Sequence, residues 1–361
     1  MILPQQIEVI IPWFFHLWYT VFDMEYSWIE RLLDWYAAAA RDLPWRHTTE
    51  AYPVWISEVM LQQTRVEAVR GYWSRFLAAL PTVEALASVE ESRLLKLWEG
   101  LGYYSRARNL QRAAQQVMER FDGRIPANYE ALLSLPGVGE YTAGAVASIS
   151  FGIPAPAVDG NVLRVMARLT NDDADVLDPA VRRAVRSRLL SCIPHDRPGV
   201  FNQALMELGA TVCMPNGAPH CGDCPLRADC CALAAGREQL LPVRAAKRAR
   251  RVEDWTVFVL RDATGAVAGY RREAQGLLAS LWQLPDAAGA LTAEQAAARL
   301  DAWGARPLGT WRFYERKHIF THVEWRLHVC ALDVELHPLP QGWVWLDETV
   351  HSLPTAYRIC L

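Results

Sequence analysis

The sequence predicts two folded parts of different class, a mainly α-helical part followed by a smaller α+β part. The chain has 361 residues, which is too long for one ordinary domain and suits two. Apolar residues repeat at helical spacing from Ser27 to about Gly236, and the period changes to that of strands from Trp255 onward. A cysteine cluster and a basic run separate the two patterns.

Helical periodicity defines the first part. It appears first in a short series formed by Trp28, Leu32, Trp35 and Tyr36. A second series comprises Trp55, Val59, Val66, Val69, Trp73, Phe76 and Leu80. We expect a bend within the second series at Gln62-Gln63-Thr64, and Pro and Gly clusters such as Leu135-Pro136-Gly137 to separate helices further on.

Alternating apolar residues define the second part. The predicted strands are Trp255–Leu260, Val267–Tyr270, His328–Leu332 and Trp343–Leu346, with a helix at Ala293–Trp303. We therefore predict a helical domain at 24–236, a basic linker at 237–252 and an α+β domain at 253–361.

The first 23 residues differ from the rest of the chain. Ile7 to Phe22 is strongly apolar, but Glu8, Pro12 and His16 interrupt it. The segment lacks the basic start and the cleavage site of a signal peptide, and it is short for a membrane span. The sequence therefore favours a translation start at Met24, with 1–23 as a doubtful extension.

The overall charge does not indicate a nucleic-acid protein. The net charge is −3, so a DNA-binding role requires that basic residues be concentrated on one face. Five of the eight residues from Arg244 to Arg251 are basic and none is acidic. This run is either a solvated linker or a segment that follows a phosphate backbone.

Four of the eight cysteines fall close together in the sequence. They are Cys213, Cys221, Cys224 and Cys230, with the spacing C-x7-C-x2-C-x5-C. Disulfide scaffolds are typically short and secreted, so this spacing indicates a metal site in a reducing compartment, and we expect a cytoplasmic protein. One C-x2-C pair flanked by single cysteines favours a 4Fe–4S cluster over zinc or unrelated buried thiols.

Three further features have both a structural and a functional interpretation. Gly137 and Gly139 make either a plain helix–helix turn or a hairpin whose N–H groups accept a phosphate oxygen. Asp159 precedes a helix from Val162 to Leu169 and suits an N-cap. Glu58 lies between apolar neighbours, so it is either exposed or buried with a raised pKa.

Taken together, these motifs resemble the MutY-type adenine DNA glycosylases of the helix-hairpin-helix and endonuclease III superfamily, which carry a Nudix-like C-terminal domain. The resemblance covers nearly everything from Met24 onward. The motifs that carry it are Leu43-Pro44-Trp45, Ser57–Thr64, Gly100–Leu110, Leu135–Gly139, Val158–Val162, Phe201–Ala204 and the four cysteines.

The resemblance implies a DNA glycosylase that removes adenine opposite 8-oxoguanine or guanine in base excision repair, acting as a monomer on double-stranded DNA. It implies that Glu58 is the catalytic acid, that Asp159 stabilises the cationic sugar, and that Tyr141 and Asn161 support them. It assigns the 4Fe–4S cluster to the four cysteines. The implied DNA and lesion contacts are Gln62, Gln63, Thr64, Tyr103, Gly137, Gly139, Phe320, Thr321 and His322.

Tyr141 separates the sub-families. The resemblance implies that bifunctional relatives carry a Lys at this position, whose amine forms a Schiff base with the sugar. A phenol cannot form one, so we expect a monofunctional enzyme. The alternative is that Tyr141 is only a packed core residue. The competing functions are an endonuclease III-type glycosylase/lyase and a DNA-binding or redox-sensing protein without catalysis. The absence of a Nudix signature argues against nucleotide hydrolysis.

The sequence departs from the family pattern at three places. Thr321 stands where the family has Ser. The hydroxyl is retained, but we expect the additional methyl group to alter the hydrogen bond to the damaged guanine. Ser280 replaces a usual Gly, which puts a backbone–DNA contact in doubt. The first gap between cysteines is seven residues where six are expected.

Overall fold

The computed structural model describes residues 28–245 and 249–361. The apolar segment within 1–23 and the start at Met24 lie outside these residues. The described residues form two compact units, of which one joins 28–63 with 113–245 and the other joins 64–112 with 249–361. The domain boundaries drawn from the sequence stay predictions, because compact units and sequence domains are defined by different properties.

The first unit is helical, as predicted. Helix α1 covers residues 28–39. A 3-10 turn at Pro44–Arg46 follows, and the later helices of this unit are α2 Ala51–Leu61, α7 Tyr129–Leu133, α8 Glu140–Phe151, α9 Gly160–Leu169, α10 Pro179–Cys192, α11 Pro198–Thr211 and α12 Cys231–Ala234. Helix α6 (Ser105–Arg120) begins in the second unit and ends in the first.

The core of this unit lies among α1, α9, α10 and α11. Each helix contributes one apolar stripe, and their buried side chains form a continuous cluster that includes Leu32, Met166, Leu189, Phe201 and Leu205. Burial of such stripes is the main source of stability for helices of this length.

The predicted bend after α2 is confirmed. Helix α2 ends at Leu61 with Gln62 as its C-cap, and Gln63 has a φ of 58°. A positive φ at a residue with a side chain breaks the helical hydrogen-bond ladder. Helix α3 then begins at Val66, in the second unit.

The second unit combines short helices with two sheets. Its helices are α3 Val66–Ala79, α4 Val83–Ser88, α5 Glu91–Leu97, α13 Ala293–Ala302 and α14 Thr355–Arg358. Its strands are β1 Arg251–Arg261, β2 Ala268–Arg271, β3 Trp282–Gln283, β4 Asp286–Ala288, β5 Arg306–Pro307, β6 Arg312–Ile319, β7 Val323–Glu335 and β8 Trp343–Trp345.

The larger sheet has the order β4-β1-β7-β5, and β6 also pairs with β7. Strands β1 and β7 run parallel with Arg251 opposite Val323, and the other pairs in this sheet are antiparallel. Helix α13 covers one face, where Leu300 packs near Phe258, and α14 covers the other, where Tyr357 packs near Val257. The smaller sheet has the order β3-β2-β8.

The strands and the helix predicted for this part are confirmed, although β1 and β7 are longer than predicted. Strand β1 begins at Arg251, so the end of the predicted basic linker already belongs to the sheet. Strand β6 was not predicted, because its residues are mostly exposed on both faces and show no apolar alternation. Within the described residues, no helix is both long and apolar enough to cross a membrane.

Ser280 occupies a left-handed conformation, with a φ of 57°. This conformation costs a non-glycine residue roughly 1 kcal/mol relative to glycine. A glycine would avoid that cost, but its greater conformational entropy in the unfolded chain would cancel part of the gain. We therefore expect Ser280→Gly to raise the free energy of unfolding by about 0.5 kcal/mol. Chemical denaturation measures this change.

A matched control is Ser191→Gly in the exposed part of α10. Glycine is a poorer helix former than serine, so this variant should lower the free energy of unfolding by about 0.5 kcal/mol. A loss of similar size in Ser280→Gly would contradict the strain attributed to Ser280.

Candidate active site

Asp159 is delivered to the site by the extended segment before α9. The side chain of Asn202, fully buried on α11, accepts a hydrogen bond from Ala157 N (3.0 Å) and donates to Ala155 O (2.9 Å). On α8, Gly144 lets this segment approach closely, because a Cβ atom there would lie 2.3 Å from Pro156 O. The segment therefore has little freedom to move the carboxylate.

The carboxylate of Asp159 caps α9, which confirms the N-cap prediction. Its Oδ1 accepts from Asn161 N (2.9 Å) and Val162 N (2.8 Å), and its Oδ2 accepts from Asn161 Nδ2 (2.7 Å). The pKa of Asp159 is raised above its ordinary value, because burial outweighs these donors and the guanidinium of Arg164, which lower it. All of these contacts stabilise the anion, as does the N-terminus of a helix.

Glu58 lies in the middle of α2 and is only 5% exposed, so the buried alternative is the correct one. Its Oε2 accepts a hydrogen bond from Tyr141 Oη at 2.5 Å. The pKa of Glu58 is raised to about 7, and burial is the main cause. The hydrogen bond from Tyr141 and the charge of Arg46 lower this pKa, whereas the charge of Asp159 raises it. A carboxyl group with this pKa can hold a proton near neutral pH.

Tyr141, in the first turn of α8, contacts Glu58. Its hydroxyl donates to Glu58 and also lies 3.3 Å from Met206 Sδ. Burial, followed by the charges of Glu58 and Asp159, raises the pKa of Tyr141 well above its ordinary range. The phenol therefore stays protonated and acts as a donor, which is more than a packed core residue would do.

A buried ionic cluster next to these residues was missed by the sequence analysis. The Glu207 carboxylate, fully buried on α11, accepts from Arg41 Nε and Nη2 (both 2.8 Å) and from Arg46 Nη2 (2.6 Å). Burial opposes ionisation, yet these bonds hold the pKa of Glu207 at about 2. The available signal was that Glu207 is the only charged residue in α11.

A chain of hydrogen bonds runs from Asp159 toward the first cysteine. Asn161 Oδ1 accepts from Arg164 Nη2 (2.8 Å), and Arg164 Nε donates to Cys213 O (2.7 Å). Gly209 permits this arrangement, since a Cβ atom there would lie 2.6 Å from Asn161 Cβ. The carboxylate and the cysteine loop are therefore mechanically connected through α9.

All four predicted cysteine ligands line one small cavity, together with Arg168 and Arg227. The guanidinium of Arg168 donates to Cys213 Sγ at 3.2 Å and to Met214 O at 3.0 Å. Among the described residues, no three His, Cys, Asp or Glu side chains are grouped so that they could hold a single metal ion. The four cysteines therefore share one cavity with a guanidinium that donates to the first of them.

The predicted DNA contacts of the first unit lie at turns. Gly137 (φ 75°) and Gly139, the N-cap of α8, are exposed in the hairpin between α7 and α8. At the end of α2, Gln62 Nε2 donates to Thr142 Oγ1 (3.1 Å) and Gln63 is exposed. Backbone N–H groups at a helix N-terminus such as that of α8 suit a phosphate oxygen.

The second unit brings the remaining predicted residues together. Tyr103 is 47% exposed, and its hydroxyl lies 2.9 Å from Thr321 Oγ1. In the same loop, the ring of Phe320 packs edge-on against Trp325 at 4.9 Å. His322 is exposed, and its carbonyl oxygen accepts a hydrogen bond from Arg251 N at 3.2 Å. Thr64 lies before α3, and its Oγ1 accepts from Arg106 Nη2 at 3.1 Å.

Comparison with known proteins places these features in a family. Residues 56–189 match the family model of the HhH-GPD superfamily of base excision DNA repair proteins, and residues 256–361 match that of the NUDIX domain. The chain is 35% identical to an adenine DNA glycosylase of Mus musculus over 92% of this chain and 76% of the mouse protein.

The chain belongs to the adenine DNA glycosylase family. The corresponding protein of Homo sapiens is 36% identical, over 88% of this chain and 69% of the human protein. Among solved structures, a thermostable thymine-DNA glycosylase matches with a TM-score of 0.53 and 29% identity, over 57% of this chain and 95% of that one. This adenine DNA glycosylase family member is a glycosidic-bond hydrolase of base excision repair that acts on DNA. The predicted fold class, a helix-hairpin-helix domain followed by a Nudix-like domain, is confirmed.

The raised pKa of Glu58 has a consequence for stability. Its folded-state pKa of about 7 exceeds the ordinary 4.5, so the folded state loses stability as the pH rises from 4.5 to 7 and regains none above it. We expect Glu58→Gln to raise the free energy of unfolding by up to about 3 kcal/mol above about pH 8, with little change below about pH 4. Chemical denaturation across this pH range measures the difference.

The control is Glu119→Gln, at an exposed position of α6. It should leave the free energy of unfolding unchanged at every pH. If Glu58→Gln raised the free energy of unfolding equally at every pH, the raised pKa of Glu58 in the folded state would be contradicted.

Proposed function

We propose that the chain excises adenine paired with 8-oxoguanine, or with guanine, without cleaving the DNA strand. The observation that carries this proposal is the arrangement of two carboxyl groups in the first unit. The buried Glu58 accepts a hydrogen bond from Tyr141, and the partly buried Asp159 caps the helix α9. The two acids have different donors, so one is suited to hold a proton and the other to remain an anion.

In the proposed reaction, the adenine leaves the base stack and enters the site. Glu58 transfers its proton to a ring nitrogen of adenine as the bond between sugar and base breaks, and the electron pair of that bond stays with the base. Asp159 stabilises the cationic sugar, and water then attacks it and gives up a proton, which returns Glu58 to its acid form. Tyr141 holds Glu58 in place, and Asn161 does the same for Asp159.

The absence of a strand-cleaving step follows from Tyr141. A lyase needs an amine that forms an imine with the sugar, and a phenol hydroxyl cannot form one. Tyr141 is the residue whose hydroxyl contacts Glu58, so the position that would carry this amine is already used to orient the acid.

DNA contacts are proposed for the exposed turns. The α8 N-terminus, with Gly137 and Gly139, would hold a phosphate. The other proposed contacts to the duplex are Gln62, Gln63, Thr64 and Tyr103. Phe320, Thr321 and His322 would read the base opposite the adenine, with the Thr321 hydroxyl as the polar group and its methyl narrowing the space around it.

A 4Fe–4S cluster is the proposed cofactor of the four cysteines. The four thiols line one cavity together with Arg168. Four cysteine thiolates around a common space are the usual ligand set of such a cluster. The bound cluster would supply a structural cross-link for the loop that carries Arg227.

The proposal is tested by release of free adenine under single-turnover conditions from a duplex with adenine opposite 8-oxoguanine. We expect release by the wild type and a rate at least about 100-fold lower for Glu58→Gln, because proton transfer by a positioned acid contributes about that much. Iron and acid-labile sulfide are measured in the same preparation.

A duplex with an oxidised pyrimidine, a trapping experiment and a binding measurement separate the competing functions. Release of an oxidised pyrimidine, or a covalent DNA adduct trapped by borohydride, would instead indicate a glycosylase/lyase. Lesion binding without any base release, from protein with its iron and sulfide present, would indicate a DNA-binding protein without catalysis.

Asp159→Asn separates catalysis from helix capping. The asparagine oxygen can still accept from Asn161 N and Val162 N, but its NH2 group replaces the oxygen that accepts from Asn161 Nδ2. We therefore expect the free energy of unfolding to fall by no more than about 2 kcal/mol. The loss of the negative charge should lower the single-turnover rate at least about 100-fold.

Asp178→Asn is the matched control, because Asp178 caps α10 through a bond from Ala180 N at 2.7 Å. This variant should change neither the rate nor the stability. Full activity of Asp159→Asn would show that Asp159 serves only as a cap.

A further inference from the structure

The loop between α5 and α6 holds Tyr103 in an unusual backbone conformation. Tyr103 has a φ of 45° and is 47% exposed, so a large aromatic side chain is presented from a left-handed residue. Such a conformation is costly for a residue with a side chain and persists only where the surrounding structure fixes it.

The main chain of this loop is fixed at several points within the second unit. Tyr72 Oη donates to Glu99 O (2.7 Å), and Trp98 Nε1 donates to Gly102 O (3.1 Å). Arg106 Nη2 donates to Leu101 O (3.0 Å) and to Gly102 O (3.2 Å). These bonds hold the loop from the side of the helices.

The side chain of Glu99 holds the same loop from the other side. Its carboxylate is 10% exposed, and Oε1 accepts from Arg358 Nη2 (2.6 Å) and from Leu353 N (2.8 Å). Oε2 pairs with Lys96 Nζ at 2.6 Å. Glu99 lies in the range matched by the HhH-GPD model, whereas Leu353 and Arg358 lie in the range matched by the NUDIX model.

Two further contacts join the same parts of the second unit. Arg108 donates to Ala279 O (2.5 Å) and to Glu91 Oε1 (3.1 Å). The hydroxyl of Tyr103 lies 2.9 Å from Thr321 Oγ1. The Tyr103 loop is therefore attached to the Nudix-like residues by side chains on both of its flanks and at its tip.

We propose that Glu99 is a positioning residue for lesion discrimination, which sets the Tyr103 loop against the Phe320-Thr321-His322 loop. The inference rests on the proposed reading of 8-oxoguanine by these loops. Charge-assisted bonds from a guanidinium and a backbone N–H to a mostly buried carboxylate are strong and directional. Removing the charge should let the two loops separate while Glu58 and Asp159, which belong to the other unit, keep their contacts.

The experiment compares adenine excision opposite 8-oxoguanine with excision opposite guanine, under single turnover, in the full-length protein. The wild type should prefer the 8-oxoguanine duplex. In Glu99→Gln, this preference should fall about tenfold or more, the loss expected when one charged hydrogen-bond partner is removed. Excision opposite guanine should stay within about threefold of the wild-type rate.

Companion variants make the assignment specific. Arg358→Gln removes the guanidinium that pairs with Glu99 and should lower the preference for the 8-oxoguanine duplex in the same way. Because Arg358 is half-exposed, this variant provides the test if Glu99→Gln does not fold. Arg358→Lys should restore part of the preference, and the double variant should lose no more than either single one. Glu335→Gln, which removes an exposed pair with Arg306 in the same unit, is the control and should keep the wild-type preference.

The outcomes distinguish this proposal from the proposed function. A wild type without any preference would overturn the reading of 8-oxoguanine and this proposal with it. A wild-type preference retained by Glu99→Gln would overturn this proposal alone. Equal loss on both duplexes together with a lower melting temperature would assign Glu99 a purely structural role and would also overturn it.

Discussion

The burial of two carboxylates in one helical unit is the constraint that the rest of the candidate site must satisfy. Desolvation disfavours the charged form of both groups and so raises their pKa values. The hydrogen bonds that each group accepts oppose this rise. Glu58 receives a phenol hydroxyl, so burial dominates and its pKa rises to about 7. Asp159 receives two backbone N–H groups and an amide at a helix N-terminus, all of which favour the anion. Burial still raises the pKa of Asp159, but more donors oppose that rise than at Glu58.

The positions of these carboxylates depend on residues that have no reactive group. Asn202 fixes the segment before Asp159 by two hydrogen bonds and donates a third to Ser148 on α8, and Gly144 lets that segment approach α8 closely. The buried cluster of Glu207 with Arg41 and Arg46 joins the 3-10 turn to α11. Such clusters add little net stability, because desolvation of the charges offsets their attraction. Their effect here is on geometry and on the local field, since the guanidinium of Arg46 lowers the pKa of Glu58.

Local patterns in the sequence account for what was predicted, and long-range pairing accounts for what was not. The break after α2, the cap at Asp159 and the strand β1 each follow from neighbouring residues, as does the change of fold class near Trp255. The partners of Glu207 lie 161 and 166 positions away, so no periodicity reveals them. The burial of Glu58 was left open for the same reason, because apolar neighbours along the chain do not specify what covers a helix. Strand β6 escaped because an edge strand exposed on both faces carries no apolar alternation.

The second unit meets a different requirement, which is to present exposed side chains without letting them move. An aromatic ring or a hydroxyl that must be ordered on binding loses conformational entropy at that moment, whereas one that is already held does not. Tyr103 and Ser280 both have positive φ values, which only dense contacts around their loops can maintain. Arg106 and Arg108 supply such contacts by donating to main-chain carbonyl groups at Gly102 and Ala279. In this unit Arg106 and Arg108 therefore hold backbone atoms of loops, whereas in the helical unit Tyr141 and Asn161 hold two carboxylates.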